Sequence, residues 1–212
     1  MSDFHYDELL PQLRDYYDRD AQRRAEMTHS AWKVVARAAL LTRIQAEGKC
    51  TLLEIGAGPG RDALFFQENG LDVLCTDLSP AMVAVCQANG LTAHVKDFAS
   101  LDFADSAFDV IYAMNCLLHV PNEALPAILA NIRRMLVPGG LFYFGTYGGQ
   151  NEESLFAGGP IPGSRYFVFR TDEQLKALVS PYFDLVDFTV MQEDQAQNHH
   201  VRFQSTVWRR AD

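Results

Sequence analysis

Leu52-Leu-Glu-Ile-Gly-Ala-Gly-Pro-Gly60 starts apolar and ends in three glycines set two apart. A short apolar run that stops at glycines reads as a buried strand entering a tight turn. Glycine there lets the backbone turn sharply and approach a ligand with no Cβ in the way. The residues that follow, Asp62 to Asn69, read as a helix closed by Gly70. Strand, glycine turn and helix together predict the first unit of an α/β fold, with a ligand over the carboxyl edge of the sheet.

The pattern repeats downstream. Asp72 to Thr76 reads as a second strand. Ser79-Pro80 is a helix start, with Ser as N-cap and Pro at the first helical position, and Gly90 closes that helix. Ala93 to Lys96 and Phe108 to Ala113 read as strands three and four, with a helix allowed between them. Asn122 is read as the cap of a helix reaching Leu136, with Pro126 in its first turn. Pro138-Gly-Gly140 is a turn before a fifth strand, Leu141 to Thr146. Apolar strands alternating with helices predict a parallel sheet covered on both faces, wound by right-handed crossovers.

Upstream, residues 3–47 read as helical, with Val34, Val35, Ala38 and Leu41 at helical spacing and Gly48 as terminator. Residues 148–170 are rich in Gly and Pro and read as a long loop on the substrate side. Thr171-Asp-Glu-Gln174 has the form of a capping box for a helix through Val179. Phe183 to Met191 and Val201 to Arg209 read as strands. The segment joining them is too short for a crossover, so they form a hairpin and one runs antiparallel to the sheet. The expected fold is a single α/β domain over residues 1–212. It is a doubly wound, Rossmann-like, three-layer α/β/α structure with seven mostly parallel strands, the last antiparallel.

The glycine spacing narrows the ligand. A dinucleotide loop is G-x-G-x-x-G, and here the third glycine falls one residue early, leaving Arg61 in its place. The G-x-x-x-x-G-K-[ST] phosphate loop is absent, and Pro59 removes an amide N–H that a phosphate would want.

Glu54-Ile-Gly-Ala-Gly-Pro-Gly60 resembles the first motif of the class I S-adenosylmethionine-dependent methyltransferases. Val73-Leu-Cys-Thr-Asp-Leu-Ser-Pro-Ala-Met82, Val95-Lys-Asp-Phe98, Phe108-Asp-Val-Ile-Tyr-Ala113 with Leu117-Leu-His119, and Leu136-Val-Pro-Gly-Gly140 resemble the later motifs, in order. The antiparallel closing pair also fits that family's sheet. The resemblance implies S-adenosylmethionine as cofactor and S-adenosylhomocysteine as product. Gly56, Ala57, Gly58 and Gly60 are expected under its methionine and ribose portion. Glu54 is expected to hold the ammonium and Asp77 both ribose hydroxyls, because a carboxylate offers two acceptors. Leu78 is expected on the adenine face, Asp97 and the Phe98 amide at the adenine edge, and Asn115 at the methionine tail. Arg61 is expected either to help bind the methionine end or to form an ion pair with Asp62 at the helix start, where an acid suits the dipole. Tyr17 and Trp32 belong to residues 1–47, expected to fold over the cofactor as a lid and exclude water.

The acceptor side is less defined. A methyl transfer needs mainly positioning of the acceptor, helped by a base where the acceptor is a hydroxyl or an ammonium. His119, Tyr147 and His199 are the candidate catalytic residues. Met114-Asn-Cys-Leu117 lacks the [DN]-P-P-[YF] of enzymes acting on exocyclic or amide nitrogens, which disfavours adenine in DNA and glutamine side chains. The formal charge of −9 also disfavours a nucleic-acid partner. The expected acceptor is a small molecule, methylated on O or N. A non-catalytic cofactor-binding protein and a nicotinamide oxidoreductase are the alternatives.

The four cysteines form no CxxC pair and read as core thiols, no His and acidic spacing suggests a metal site, and no apolar run is long enough to span a bilayer. The start of the chain has no apolar core of a secretory signal. A cytoplasmic monomer or homodimer is expected.

Overall fold

The computed structural model describes residues 5–28, 30–191 and 202–211. Two helices come first, α1 (Tyr6–Glu26) and α2 (Ala31–Ala46), and then the alternating core: β1 (Thr51–Ile55), α3 (Arg61–Glu68), β2 (Asp72–Asp77), α4 (Pro80–Ala88), β3 (Thr92–Val95) and β4 (Phe108–Met114). A 3₁₀ turn at Leu117–His119 leads to α5 (Leu125–Met135) and β5 (Leu136–Gly148). The chain continues through β6 (Glu152–Phe156), β7 (Arg165–Phe169), α6 (Asp172–Val179), β8 (Asp184–Met191) and β9 (Arg202–Arg209).

Seven strands form one sheet in the order β3-β2-β1-β4-β5-β9-β8. β1, β2, β3, β4 and β5 pair in parallel, while β9 lies antiparallel to both β5 and β8. The reversed strand is therefore the last in sequence, inserted between β5 and the edge. Alternation along β1 divides the core. Leu53 and Ile55 enter one layer with α5 and α6, and Leu52 enters the other with α2, α3 and α4. Because both faces are covered, Leu52 to Ile55 is buried throughout, acid included.

Local signals in the sequence act as read at several ends. Ser79 Oγ accepts from the Met82 amide with Pro80 behind it, and Thr171 and Gln174 form the full reciprocal capping box. Strands β2 and β4 match their expected spans to within a residue.

Four expectations are corrected. Residues 148–170 are not a plain loop: β6 and β7 pair as an antiparallel hairpin, Glu152 opposite Phe169 and Phe156 opposite Arg165. No helix stands between β3 and β4. Residue Asn122 does not cap α5. That helix starts at Leu125, with Ala124 at its N-cap position, and the Asn122 side chain bonds Glu153 and Arg170 instead. Finally, β5 begins at Leu136, because the Pro138-Gly-Gly140 turn already follows the sheet edge.

Helix α1 lies across the carboxyl edge of the sheet. Its apolar side, Leu9 and Leu13, packs on Tyr166 and Val168 of β7. Polar ties fasten it as well. Asp18 accepts from Ser79 Oγ (2.5 Å) and the Ala81 amide (3.1 Å) at the start of α4, and Gln12 donates to the Ser164 carbonyl (2.9 Å). An acid at a helix start is well placed against the exposed amides and the dipole.

Candidate cofactor site and its acceptor wall

The glycine turn after β1 opens a cavity at the sheet edge, roofed by α1. Gly56 has φ +63°, and a Cβ there would sit 2.4 Å from Cys116 Cβ, so only glycine fits between the loop and the β4 exit. Gly58 offers its amide to Asp77 Oδ2 at 2.7 Å, and Asp77 Oδ1 takes the Ser79 amide at 2.9 Å. The end of β2 is thus tied to the glycine turn by one carboxylate. Burial pushes the Asp77 carboxyl up, against the pull of those two amides.

Gly60 plays a different part. It is the N-cap of α3 with φ +75°, and a Cβ would meet Leu91 at 2.5 Å and Cys86 Sγ at 2.8 Å. It faces the α4–β3 packing and does not line the cavity.

Two buried oxygens lie in this cavity without a donor among the described residues: Glu54 Oε2 and Asn115 Oδ1. Asn115 holds φ +52°, a conformation uncommon outside glycine, with its amide fixed on the Gly145 carbonyl at 2.8 Å. A buried acceptor left open costs roughly 1–3 kcal/mol unless a ligand or water fills it. Burial pushes the Glu54 carboxyl well up, and the neighbouring Asp62 pushes it further. Asp62 itself accepts from Arg37 (3.0 Å) and from the Tyr112 hydroxyl (3.4 Å). This set of acceptors fits an amino-acid-bearing nucleoside. The acceptors Glu54 and Asn115 suit an ammonium, and Asp77 suits a diol.

Ala57, Arg61, Leu78, Asp97 and Phe98 line the same cavity. The Arg61 guanidinium donates to the Met27 carbonyl between α1 and α2, and burial lowers its proton affinity. Asp97 Oδ1 is engaged by the Ala99 and Ser100 amides at 2.7 and 3.2 Å. The Phe98 amide donates to the Tyr6 hydroxyl of α1 at 3.2 Å.

Tyr17 and His119 form another part of the cavity wall. The Tyr17 hydroxyl and His119 Nε2 lie 2.6 Å apart, and His119 Nδ1 lies 2.7 Å from the Tyr166 carbonyl. A carbonyl only accepts, so Nδ1 carries the proton and Nε2 accepts from Tyr17. Burial pulls His119 down to about 4, helped by the charges of Arg165 and Arg24, so the ring is neutral.

Two more expected residues, Trp32 and Tyr147, lie outside the cavity. Trp32 packs against Phe203 with the rings tilted (4.1 Å between ring centres) and meets Tyr147 edge-on, so both flank β9 and neither lines the cavity. His199 lies outside the described residues. The sequence reading also missed Tyr6, Leu10, Leu13 and Arg24, which line the cavity from α1. With Tyr17 they stand at spacings of four, three, four and seven, a helical stripe that the periodicity of α1 contained.

Sheet order, glycine turn and terminal Asp77 define a Rossmann-like domain shaped for an adenosine-bearing cofactor. Residues 52–140 match the family model described as "Methyltransferase domain", and this stretch is a methyltransferase domain of the S-adenosylmethionine-dependent kind. It is similar to a malonyl-[acyl-carrier protein] O-methyltransferase of Enterobacter lignolyticus, 28% identical over 51% of this chain and 43% of the relative. An arsenite methyltransferase of Aquipseudomonas alcaligenes is 31% identical over 45% of this chain and 32% of its own length. The chain thus spans less than half the length of these curated relatives. In structure it resembles the 1,6-didemethyltoxoflavin-N1-methyltransferase of Burkholderia thailandensis, solved with 1,6-didemethyltoxoflavin and S-adenosylhomocysteine. There the TM-score is 0.76 at 22% identity, covering 100% of this chain and 93% of that one. The [4+2]-cyclase SpnF shares the fold as well, with a TM-score of 0.68 at 19% identity over 94% of this chain and 95% of that one.

Proposed function

We propose that the protein transfers a methyl group from S-adenosylmethionine to an O or N atom of a small molecule. The observation that carries this reading is the pair of open buried acceptors, Glu54 Oε2 and Asn115 Oδ1, in one cavity with Asp77. Glu54 and Asn115 would hold the amino-acid end and Asp77 the ribose. Leu78 and Asp97 would take the adenine. When bound, the cofactor supplies an electrophilic methyl group, already activated as a sulfonium.

The chain's own residues then position the acceptor and manage its proton. Helix α1 shields the cavity from water. His119 Nε2 has its lone pair on the cavity side and receives the Tyr17 hydroxyl proton in a hydrogen bond. An acceptor O–H or N–H that replaces Tyr17 there would give its proton to Nε2 as its own atom gains the methyl group. Small-molecule acceptors are supported by the names of similar proteins, a 1,6-didemethyltoxoflavin-N1-methyltransferase and an arsenite methyltransferase. The net charge of −9 supports an acceptor other than nucleic acid. Among the described residues no helix is long and apolar enough to cross a membrane. Four free cysteines, three of them buried, support a reducing, cytoplasmic setting.

Calorimetric titration with S-adenosylhomocysteine, with NADH as the control, tests the cofactor. Incubation with S-adenosylmethionine and a panel of phenols, ring N–H heterocycles and carboxylic acids, read by mass spectrometry, tests the transfer. Binding of NADH in place of S-adenosylhomocysteine overturns the reading. Cofactor binding with no transfer to any panel member favours a non-methylating role, for which the shared fold of the [4+2]-cyclase is a structural precedent.

A further inference from the structure

Behind His119, away from the cavity, four side chains form a polar cluster between the 3₁₀ turn and the β6–β7 hairpin. Glu153 of β6 accepts from the Tyr166 hydroxyl with one oxygen and from Asn122 Nδ2 with the other. Asn122 Oδ1 accepts from Arg170 Nε at 2.7 Å, and Arg170 Nη2 donates to the Val120 carbonyl at 2.8 Å. The chain of contacts closes on itself, because the Tyr166 carbonyl holds His119 Nδ1 at 2.7 Å. Arg170 is only 1% exposed, so its charge sits in the interior, and burial lowers it to about 10 while Glu153 counters that shift. Arg170 Nη1 is buried without a hydrogen-bond partner among the described residues, while Nε and Nη2 are both engaged, so the links from Glu153 to the 3₁₀ turn are made. None of the four residues lines the cofactor cavity, and Tyr166 alone meets residues that do, Leu13 of α1 and His119.

We propose that Glu153, with Asn122 and Arg170, is a positioning residue for the acceptor wall. It clamps the β6–β7 hairpin to the turn that carries His119 and so fixes which ring nitrogen faces the cavity. This rests on the reading of His119 as the group that meets the acceptor. With the clamp in place, the Tyr166 carbonyl claims the Nδ1 proton and Nε2 is always the acceptor. With the clamp released, the carbonyl is free to move away and the ring interconverts between tautomers. The charged and titratable groups around the ring are Tyr17 and Arg24 on α1 and Arg165 on β7. None of these belongs to the clamp.

The test is nitrogen NMR of the full chain labelled with ¹⁵N-histidine, with His119 assigned by its loss in His119→Asn. The wild type is expected to show one neutral Nδ1–H tautomer throughout about pH 5 to 8. Glu153→Ala is expected to show both tautomers and a titration moved up toward the ordinary value. Glu153→Gln, which keeps an oxygen for Asn122, is expected to stay close to wild type. With an acceptor in hand, Glu153→Ala should lower kcat roughly ten- to a hundredfold with KM for S-adenosylmethionine unchanged. If Glu153→Ala does not fold, Asn122→Ala breaks the same ring and is expected to shift the tautomer likewise. An unchanged tautomer and titration in a folded Glu153→Ala or Asn122→Ala protein overturns the proposal, even if its Tm falls. Titration of the wild type with S-adenosylhomocysteine separates the two readings. Absent binding with a locked tautomer defeats the methyltransferase reading alone, and binding with an unlocked wild-type tautomer defeats the clamp alone.

Discussion

Tyr17 and His119, 102 positions apart in the chain, are joined by a 2.6 Å hydrogen bond in the wall of the cofactor cavity. Their rings also meet edge to face, with centres 5.5 Å apart. The bond ties the roof helix to the turn after β4. Substitution of His119 by Ala is expected to lower kcat by about a hundredfold or more, the usual size of a lost general base. Affinity for S-adenosylhomocysteine should stay near wild type, since Glu54 and Asp77 are untouched. Steady-state kinetics beside calorimetry checks both. Equal loss of turnover and of binding would instead make His119 part of the cofactor site.

Asp77 is the anchor of the ribose end. In Asp77→Ala both acceptors vanish, and the Gly58 and Ser79 amides lose their partner. Hydrogen bonds to a charged group contribute roughly 1.5–3 kcal/mol each, so affinity for S-adenosylhomocysteine should fall by at least about tenfold. Asp77→Asn keeps one oxygen and should lose less. An unaffected Kd in Asp77→Ala would place the ribose elsewhere.

Proton linkage gives a prediction for Glu54. Its carboxyl is pushed well up in the empty protein by burial and by Asp62. Holding an ammonium requires the ionised form. Binding therefore expels a proton wherever the empty protein keeps one, and affinity strengthens as pH rises toward the Glu54 value. Titrations at one pH in buffers of different ionisation heat should show proton release in wild type and less in Glu54→Gln. Heats that do not depend on the buffer would show that Glu54 is already ionised.

His119 carries a pH effect on stability. Its folded value is about 4, below the ordinary 6.5. The unfolded chain thus takes up a proton that the folded ring refuses. The contribution is fully present above about pH 6.5, and is lost as pH falls toward about 4, by up to ~3 kcal/mol. Tm should drop more steeply over that window in wild type than in His119→Asn. Parallel curves would assign the acid sensitivity to other groups.

The loop glycines should separate by role. Gly56→Ala places a Cβ against Cys116 inside the cavity and should damage cofactor binding together with stability. Gly60→Ala collides with Leu91 and Cys86 outside it, and should lower Tm first. Denaturation and titration of the two variants side by side would show the contrast.

The parts legible in the sequence are those governed by neighbours along the chain. Ser79-Pro80, the Thr171 to Gln174 box and the glycine turn each act within a few residues, so their chemistry is local. The β6–β7 hairpin was hidden because the Gly and Pro of residues 157–163 dominate the composition around two five-residue strands. Asn122 reads as a cap, but Glu153 and Arg170, contributed from far along the chain, claim its side chain. Trp32 sits on a helix whose orientation depends on how α2 packs against β9, which local pattern does not reveal.

The Tyr6 hydroxyl occupies the Phe98 amide, the donor expected to read the adenine edge. Where adenine takes that amide, it competes with an occupant tethered to the same chain, at high effective concentration. Loading and unloading would then be paced by how often the first turn of α1 lets go, and not by encounter from solution. An enzyme arranged in this way exchanges its spent nucleoside on the clock of its own N-terminal helix.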